Sequence, residues 1–364
     1  MTDQAHSKED KPVIIITGAC GLIGSALSER LSAKNRVVGF DIRDEPGDAP
    51  LAKYYKVDLT SDEGPKEGVE KVRESFGDRI ASVIHLAAYY DFSGEPSPLY
   101  EELTIKGTGR LLSSLQSLQV EQFVFSSTLL VHAPAEIGKK IDENWPLEPK
   151  WEYPQSKKDA EALIRKEHGD IPVVLARLAG VYSDQCDSIP IAHQIQRIYE
   201  RQMTGKVYPG DLDKGQPFLH IEDLVDAFEK MVDRRADLPP ELTVNIGEDK
   251  TFGYGEIQKR LGRLIHDEEW ETRKVPKPIA KTGAWVEEQV PGHDPFIKPW
   301  MVDLTEDHME LDISCAKNQL GWEPRHDLLD TFPQIVEYLK ADPVDFYKHN
   351  KLEMPGKIEK AADS

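Results

Sequence analysis

The apolar, β-branched run Val13–Thr17 leads directly into Gly18-Ala19-Cys20-Gly21-Leu22-Ile23-Gly24. No other feature of the chain constrains its fold as strongly. A β-branched run without polar alternation reads as a strand buried on both faces, the mark of a parallel sheet. Each spaced glycine then has a mechanical reason. Gly18 turns the chain sharply off the strand, Gly21 lets backbone approach a pyrophosphate, and Gly24 lets the next helix lie close to the strand. The start of that helix offers unpaired N–H groups and a partial positive charge to phosphates. The loop therefore predicts a dinucleotide site, with Cys20, Leu22 and Ile23 along its path. Cys20 stands where a helix N-terminus favours a thiolate; a small residue filling a tight turn is the simpler reading.

A second strand, Arg36–Asp41, ends in a carboxylate. At this position Asp41 accepts hydrogen bonds from both ribose hydroxyls of NAD and repels the 2′-phosphate of NADP. Ile42 and Arg43 follow, and the charge of Arg43 offsets part of that repulsion. NAD is the expected cofactor. Further strands are predicted at 54–57, 81–87, 122–127 and 171–178, with helices between them at 22–34, 99–118 and 151–168. Strands separated by helices imply a doubly wound parallel α/β sheet with right-handed crossovers. After about residue 180 the pattern turns irregular, with helices predicted at 191–202, 221–232 and 255–265. We expect a dinucleotide-binding domain over 12–180 and a smaller substrate lobe over 181–345. Some segments, such as 243–246, are expected to return to the main sheet, and residues 1–11 and 352–364 to be flexible tails.

The net charge of the 364-residue chain is −20, which repels phosphate backbones and acidic lipid, so nucleic acid and membranes are poor partners. No stretch approaches the roughly 20 apolar residues of a membrane span, and the first ten residues lack the apolar core of a secretion signal. Cys20, Cys186 and Cys315 are too scattered for a zinc site or a disulfide framework. A cytoplasmic enzyme without a bound metal is expected.

Tyr153-Pro154-Gln155-Ser156-Lys157 places a phenol and an ammonium one helical turn apart on one face. A tyrosine is a poor base near neutrality, but a nearby ammonium stabilises the phenolate. Tyr153 then takes a proton from an alcohol as hydride leaves, or returns one to a carbonyl. Tyr347 and Lys351 share the spacing, so context must separate the two pairs. Upstream of Tyr153, the apolar strand Phe123-Val124-Phe125 ends in Ser126-Ser127-Thr128. Ligands of open α/β sheets bind at such carboxyl ends, where a hydroxyl can hold the reacting oxygen.

The series TGACGLIG, Asp58-Leu59, His85-Leu86-Ala87-Ala88, VFSST and YPQSK resembles the extended short-chain dehydrogenases/reductases. The segments PFLHIEDL, from Pro217, and LGWEP, from Leu320, resemble their NAD-dependent epimerase/dehydratase branch, so the likeness covers nearly the whole chain. It implies that Asp58 and Leu59 flank the adenine and that Leu86, Ala87 and Ala88 line the cofactor cleft. Thr104, Ser126, Leu178, Gly180 and Val181 complete the expected cofactor contacts, together with Tyr153 and Lys157. Thr128 is implied as the catalytic hydroxyl, with Ser127 as the alternative if the strand register differs. A homodimer through the helices at 99–118 and 151–168 is implied as well.

Four departures bear on the substrate. Thr104 stands where the family usually has Asn. Leu129 and Leu130 replace the Asp-Glu pair of sugar-nucleotide 4,6-dehydratases and cannot transfer protons, which excludes that reaction. Gly180 replaces an Asn, and Gln216 an Arg that clamps a diphosphate; an amide lacks the charge and fork of a guanidinium. Tyr89, Tyr90 and Phe92 form an aromatic loop suited to a sugar ring or another flat substrate, or to packing. Gln216 and His220 join them as candidate substrate residues. The expected function is NAD-dependent hydride transfer at a secondary alcohol or ketone carbon of a sugar-like molecule. Nucleotide-sugar-type epimerisation is the first form and dehydrogenation of a non-nucleotide alcohol the alternative. An NAD-binding sensor would be expected to lose the Tyr/Lys pair.

Overall fold

The computed structural model describes residues 11–45, 47, 50–91, 94–288 and 297–355. The strands that build the main sheet are β1 (Val13–Thr17), β2 (Arg36–Asp41), β3 (Lys53–Lys56), β4 (Ser82–His85), β5 (Phe123–Thr128) and β6 (Val173–Leu178). A short pair follows, β7 (Gly180–Tyr182) and β8 (Phe218–His220), and then β9 (Glu241–Ile246), which returns to the sheet. The order across the seven strands is β9-β6-β5-β4-β1-β2-β3, and every neighbouring pair is parallel.

Burial explains why β1 carries no polar alternation. Val13 and Ile15 feed one apolar layer, with α2 (Glu63–Phe76), α3 (Lys106–Leu115) and α4 (Glu152–Glu167). Ile14 and Ile16 feed the opposite layer, with α1 (Leu22–Ser32) and α6 (Ile221–Asp233). Each such fully buried side chain is worth about 1.5–3 kcal/mol of transfer free energy. The strand order reverses between β1 and β4, which opens a crevice at their carboxyl ends. Ligands of doubly wound sheets bind at that point.

The segment expected as one helix over 99–118 is not uniform. Tyr100–Ile105 forms a wide, π-type turn before α3. The widening turns the buried Thr104 hydroxyl toward the backbone N–H of Tyr89, 3.0 Å away; such bulges often mark functional ground. A third apolar cluster forms the lobe, from α5 (Ile189–Tyr199), α7 (Tyr254–His266), α9 (Leu328–Ala341) and α10 (Pro343–His349). Helix α8 (Lys277–Glu288) lies between α7 and α9 in sequence. Tyr347 belongs to this core, its hydroxyl on Glu200, so its spacing from Lys351 carries no chemistry. Phe92 and residues 1–10 and 356–364 lie outside the described residues. Leu352, placed with the tail in sequence, is buried against the lobe.

Candidate active site

The glycine loop crosses the crevice mouth. Gly18 adopts φ +71°, and its N–H bonds Phe40 O at 2.8 Å. A Cβ at Gly24 would sit 2.2 Å from Gly18 O, so only glycine permits this close approach. Gly21 caps α1 with no side chain bonded to the helix start. The first N–H groups beside Leu22 and Ile23 are therefore left for an anion. Across the crevice, Leu86 N and Ala87 N each bond Thr17 Oγ1 at 3.2 Å, which holds the Leu86–Ala87–Ala88 backbone against the loop.

Asp41 ends β2 with its carboxylate 3.0 Å from both Cys20 N and Arg43 N, while the Arg43 guanidinium folds back onto it at 3.3 Å. Burial opposes ionisation, but the hydrogen bonds from Arg43 and Cys20 outweigh it and hold the carboxyl below its usual range. Ile42 stands exposed beside it. The Cys20 thiol is pushed up, first by burial, which disfavours a thiolate at this turn. Asp58 spends a carboxylate oxygen on Thr60 N, and Leu59 is buried beneath it. Leu178 is buried at the end of β6; Gly180 and Val181 open β7. Glycines, a free helix start and an acidic strand end together fit a dinucleotide with unesterified ribose hydroxyls.

At the carboxyl end of β5, Lys157 is buried, and its Nζ donates to Ser126 O at 2.7 Å. It lies 5.9 Å from the centre of the Tyr153 ring. Burial pulls its pKa down to about 7, against the attraction of Glu161. Burial likewise pushes the Tyr153 phenol up, opposed by a hydrogen bond with Thr128. Thr128 and Tyr153 thus face each other. Ser127 is turned the other way, its hydroxyl 2.6 Å from Glu161 Oε1. Successive residues of a strand alternate faces, so Ser127 is corrected from an alternative catalytic hydroxyl to a packing group.

Glu161 anchors a buried network that the sequence reading missed. Arg177 donates to it at 2.7 and 3.0 Å and reaches His132 at 3.2 Å, and His132 lies 3.4 Å from Asn245. The signal was present: Glu161 follows Lys157 by one turn on the buried face of α4. The network clamps α4 to β5, β6 and β9. His85, buried between Thr17 and Thr108, is driven down to about 3 by burial and is a neutral tie.

A cavity of about 570 Å³ opens beside Trp151, whose ring packs on that of Tyr153. Its walls are largely apolar, including Leu130, Trp151, Phe218, Phe252, Tyr254 and Trp300, and Gln216 lines it as well. Trp151 packs 5.5 Å from the Tyr153 ring, and Tyr90 packs 4.7 Å from it on edge. Tyr89 stacks edge-on with Tyr100 at 4.8 Å and supports the loop. His220 does not line the cavity. It caps α6 by accepting from Glu222 N, and stacks on His326 at 4.0 Å.

The model of the NAD dependent epimerase/dehydratase family matches residues 14–247, which include the glycine loop, Asp41, Tyr153 and Lys157. An uncharacterized UDP-glucose epimerase of Bacillus subtilis is 27% identical over 90% of this chain and 98% of its own length. The decarboxylating sterol-4-alpha-carboxylate 3-dehydrogenase of Candida albicans is 24% identical over 90% of this chain and 98% of its own. The solved UDP-glucuronic acid 4-epimerase of Bacillus cereus, in complex with UDP-glucuronic acid and NAD, shares the fold with a TM-score of 0.66 at 21% identity. That likeness covers 90% of this chain and 99% of the other. With the family matched across the segments that build the crevice, the chain belongs to the NAD-dependent epimerase/dehydratase family and is an NAD-dependent hydride-transfer enzyme.

Proposed function

We propose that the chain acts at a secondary alcohol or ketone carbon held between Thr128, Tyr153 and Trp151. The observation that carries this is the meeting of Tyr153, Thr128 and the buried Lys157 beside the glycine cradle. NAD, when bound, supplies the acceptor and donor of hydride. Tyr153 takes the alcohol proton and gives it back. Thr128 orients the reacting oxygen by hydrogen bonding, and Lys157, fixed on Ser126 O, stabilises the phenolate at close range. Asp41 holds the adenosine ribose, and Thr104 fixes the Tyr89 backbone at the crevice edge.

Returning the hydride to the opposite face of the carbon makes this an epimerisation, the reading that the family favours, on a sugar-like ring. A second reading, release of the ketone, is favoured by one observation: the cavity is largely apolar, and Gln216 stands there where the resemblance leads one to expect an Arg that clamps a diphosphate. Denaturing the freshly purified protein and measuring released nucleotide separates them. Near-stoichiometric NAD supports epimerisation; an empty protein that forms NADH from added alcohol supports dehydrogenation. Absence of any hydride exchange, with NAD bound, sinks both and leaves the sensor reading. We also read the protein as a cytoplasmic homodimer through α3 and α4. No described helix is long and apolar enough to cross a membrane. A 41.1-kDa species in sedimentation at micromolar concentration overturns the dimer.

A further inference from the structure

Helix α5 presents Pro190, Gln194 and Arg197 to the cavity. Their spacing puts them on one face, over about 10 Å of helix axis. Pro190 opens the row at the start of α5, and Arg197 closes it two turns later, in the last turn of the helix. The polar groups of this cavity differ in one respect. Lys214 is satisfied by Glu306, with Nζ 2.8 Å from its carbonyl and 3.4 Å from its carboxylate. Asp307 is paired with Lys150 at 2.7 Å. Arg197 forms no ion pair among the described residues, and its Nε is buried without a hydrogen-bond partner. Gln194, only 7% exposed, likewise leaves its Nε2 donor unpartnered. The neighbouring His193 offers no counter-charge, since an imidazole is neutral or cationic. Burial, helped by the Arg197 charge, drives its pKa down to about 4.

Buried donors left unsatisfied are costly and call for a partner. A guanidinium fork and an amide N–H together match a planar carboxylate. The cavity that holds this pair and Trp151 is walled largely by aliphatic and aromatic groups, and its volume suits a ligand of drug size. We propose that the substrate is an amphipathic hydroxy acid. Its secondary alcohol lies at Tyr153, its apolar body fills the cavity, and its carboxylate is bound by Arg197 and Gln194. The proposal rests on the hydride-transfer reading for which end of the molecule reacts. A diphosphate at Gln216 has no part in it.

The test uses the NAD-loaded protein with two probes of different rigidity, lithocholate and ricinoleate, each beside its methyl ester. Affinities are read by titration calorimetry in the Tyr153→Phe background, so binding is scored without turnover. One charged contact of this kind is worth about ten- to a hundredfold in affinity. At least one acid is expected to bind about tenfold or more tighter than its ester. Arg197→Met should bring that ratio close to one, and Arg197→Lys should keep part of it. Equal binding of acids and esters, failure of all four to bind, or an unchanged ratio in Arg197→Met overturns the proposal. Hydride exchange is scored separately, with Tyr153 in place, by product analysis. Its absence alongside an intact acid preference counts against the hydride-transfer reading and leaves the Arg197 site standing.

Discussion

Tyr153 lies under two opposing influences, a burial that disfavours its phenolate and a hydrogen bond with Thr128 that offsets part of that cost, with the Lys157 ammonium 5.9 Å from its ring centre. Lys157 itself has been pulled down to about 7. Tyr153→Phe removes the proton carrier and leaves the ring packing against Trp151 and Tyr90 in place. Turnover should fall by about 10²–10⁴-fold while NAD still co-purifies; loss of NAD with the activity means that Tyr153 was holding the cofactor instead. Asp41→Asn removes the charge that repels a 2′-phosphate and frees Arg43 from its ion pair. The ratio of NADP to NAD affinity, measured by calorimetry, should rise by about tenfold or more; an unchanged ratio denies Asp41 its part in cofactor choice. Residues of this kind were legible in sequence when their partners were local. Tyr153 and Lys157 are one turn apart, and Asp41 ends its own strand. Ser127 was not, because its partner Glu161 is reached only once α4 is laid on β5. Arg197 was not, because an arginine without a counter-ion looks like any other until the fold surrounds it.

At the scale of elements, the strand–turn–helix unit around Gly18–Gly24 does most to form the cofactor cleft. A Cβ at Gly24 would meet Gly18 O at 2.2 Å and the Ala19 Cα at 2.8 Å, both backbone atoms that cannot swing aside. Gly24→Ala should therefore force α1 away from β1. We expect a loss of about 1–3 kcal/mol in stability and loss of bound NAD, seen as a lower Tm together with nucleotide-free protein. A variant of unchanged Tm that retains NAD contradicts the close packing described. Most sheet strands were readable to within a residue or two because they are runs of mainly apolar residues buried on both faces. The wide turn at Tyr100–Ile105 was hidden: the Thr104–Tyr89 hydrogen bond that accompanies it joins residues 15 apart in sequence.

Across the whole molecule, sheet and lobe are joined by Glu248, which follows β9. Its carboxyl accepts from Tyr182 Oη at 2.8 Å and from Leu328 N, at the head of α9, at 3.3 Å. Burial, with Asp327 and Asp223 adding repulsion, pushes its pKa up to about 8. A carboxyl that binds its proton more tightly when folded stabilises the fold fully below its unfolded pKa, and that contribution fades as pH rises toward the folded value. Glu248→Gln copies the protonated form at every pH. The variant should match wild type in Tm near pH 4.5 and exceed it increasingly toward pH 8; a constant difference denies the shift. The helical lobe around Phe332 and Phe346 was the least legible part of the chain. Its helices α9 and α10 follow a long irregular stretch and bury their faces on one another rather than on the sheet.

The ring contact between Trp151 and Tyr153, continued to Trp300 at 5.2 Å, gives the protein a built-in optical gauge. Reduced nicotinamide absorbs in the band where indole emits, whereas the oxidised form does not. Indole fluorescence from this wall will therefore dim when the cofactor beside Tyr153 is reduced and recover when the hydride is passed on. The redox state of the centre becomes visible without a label, including in an enzyme that never releases its cofactor and shows no net change in bulk absorbance.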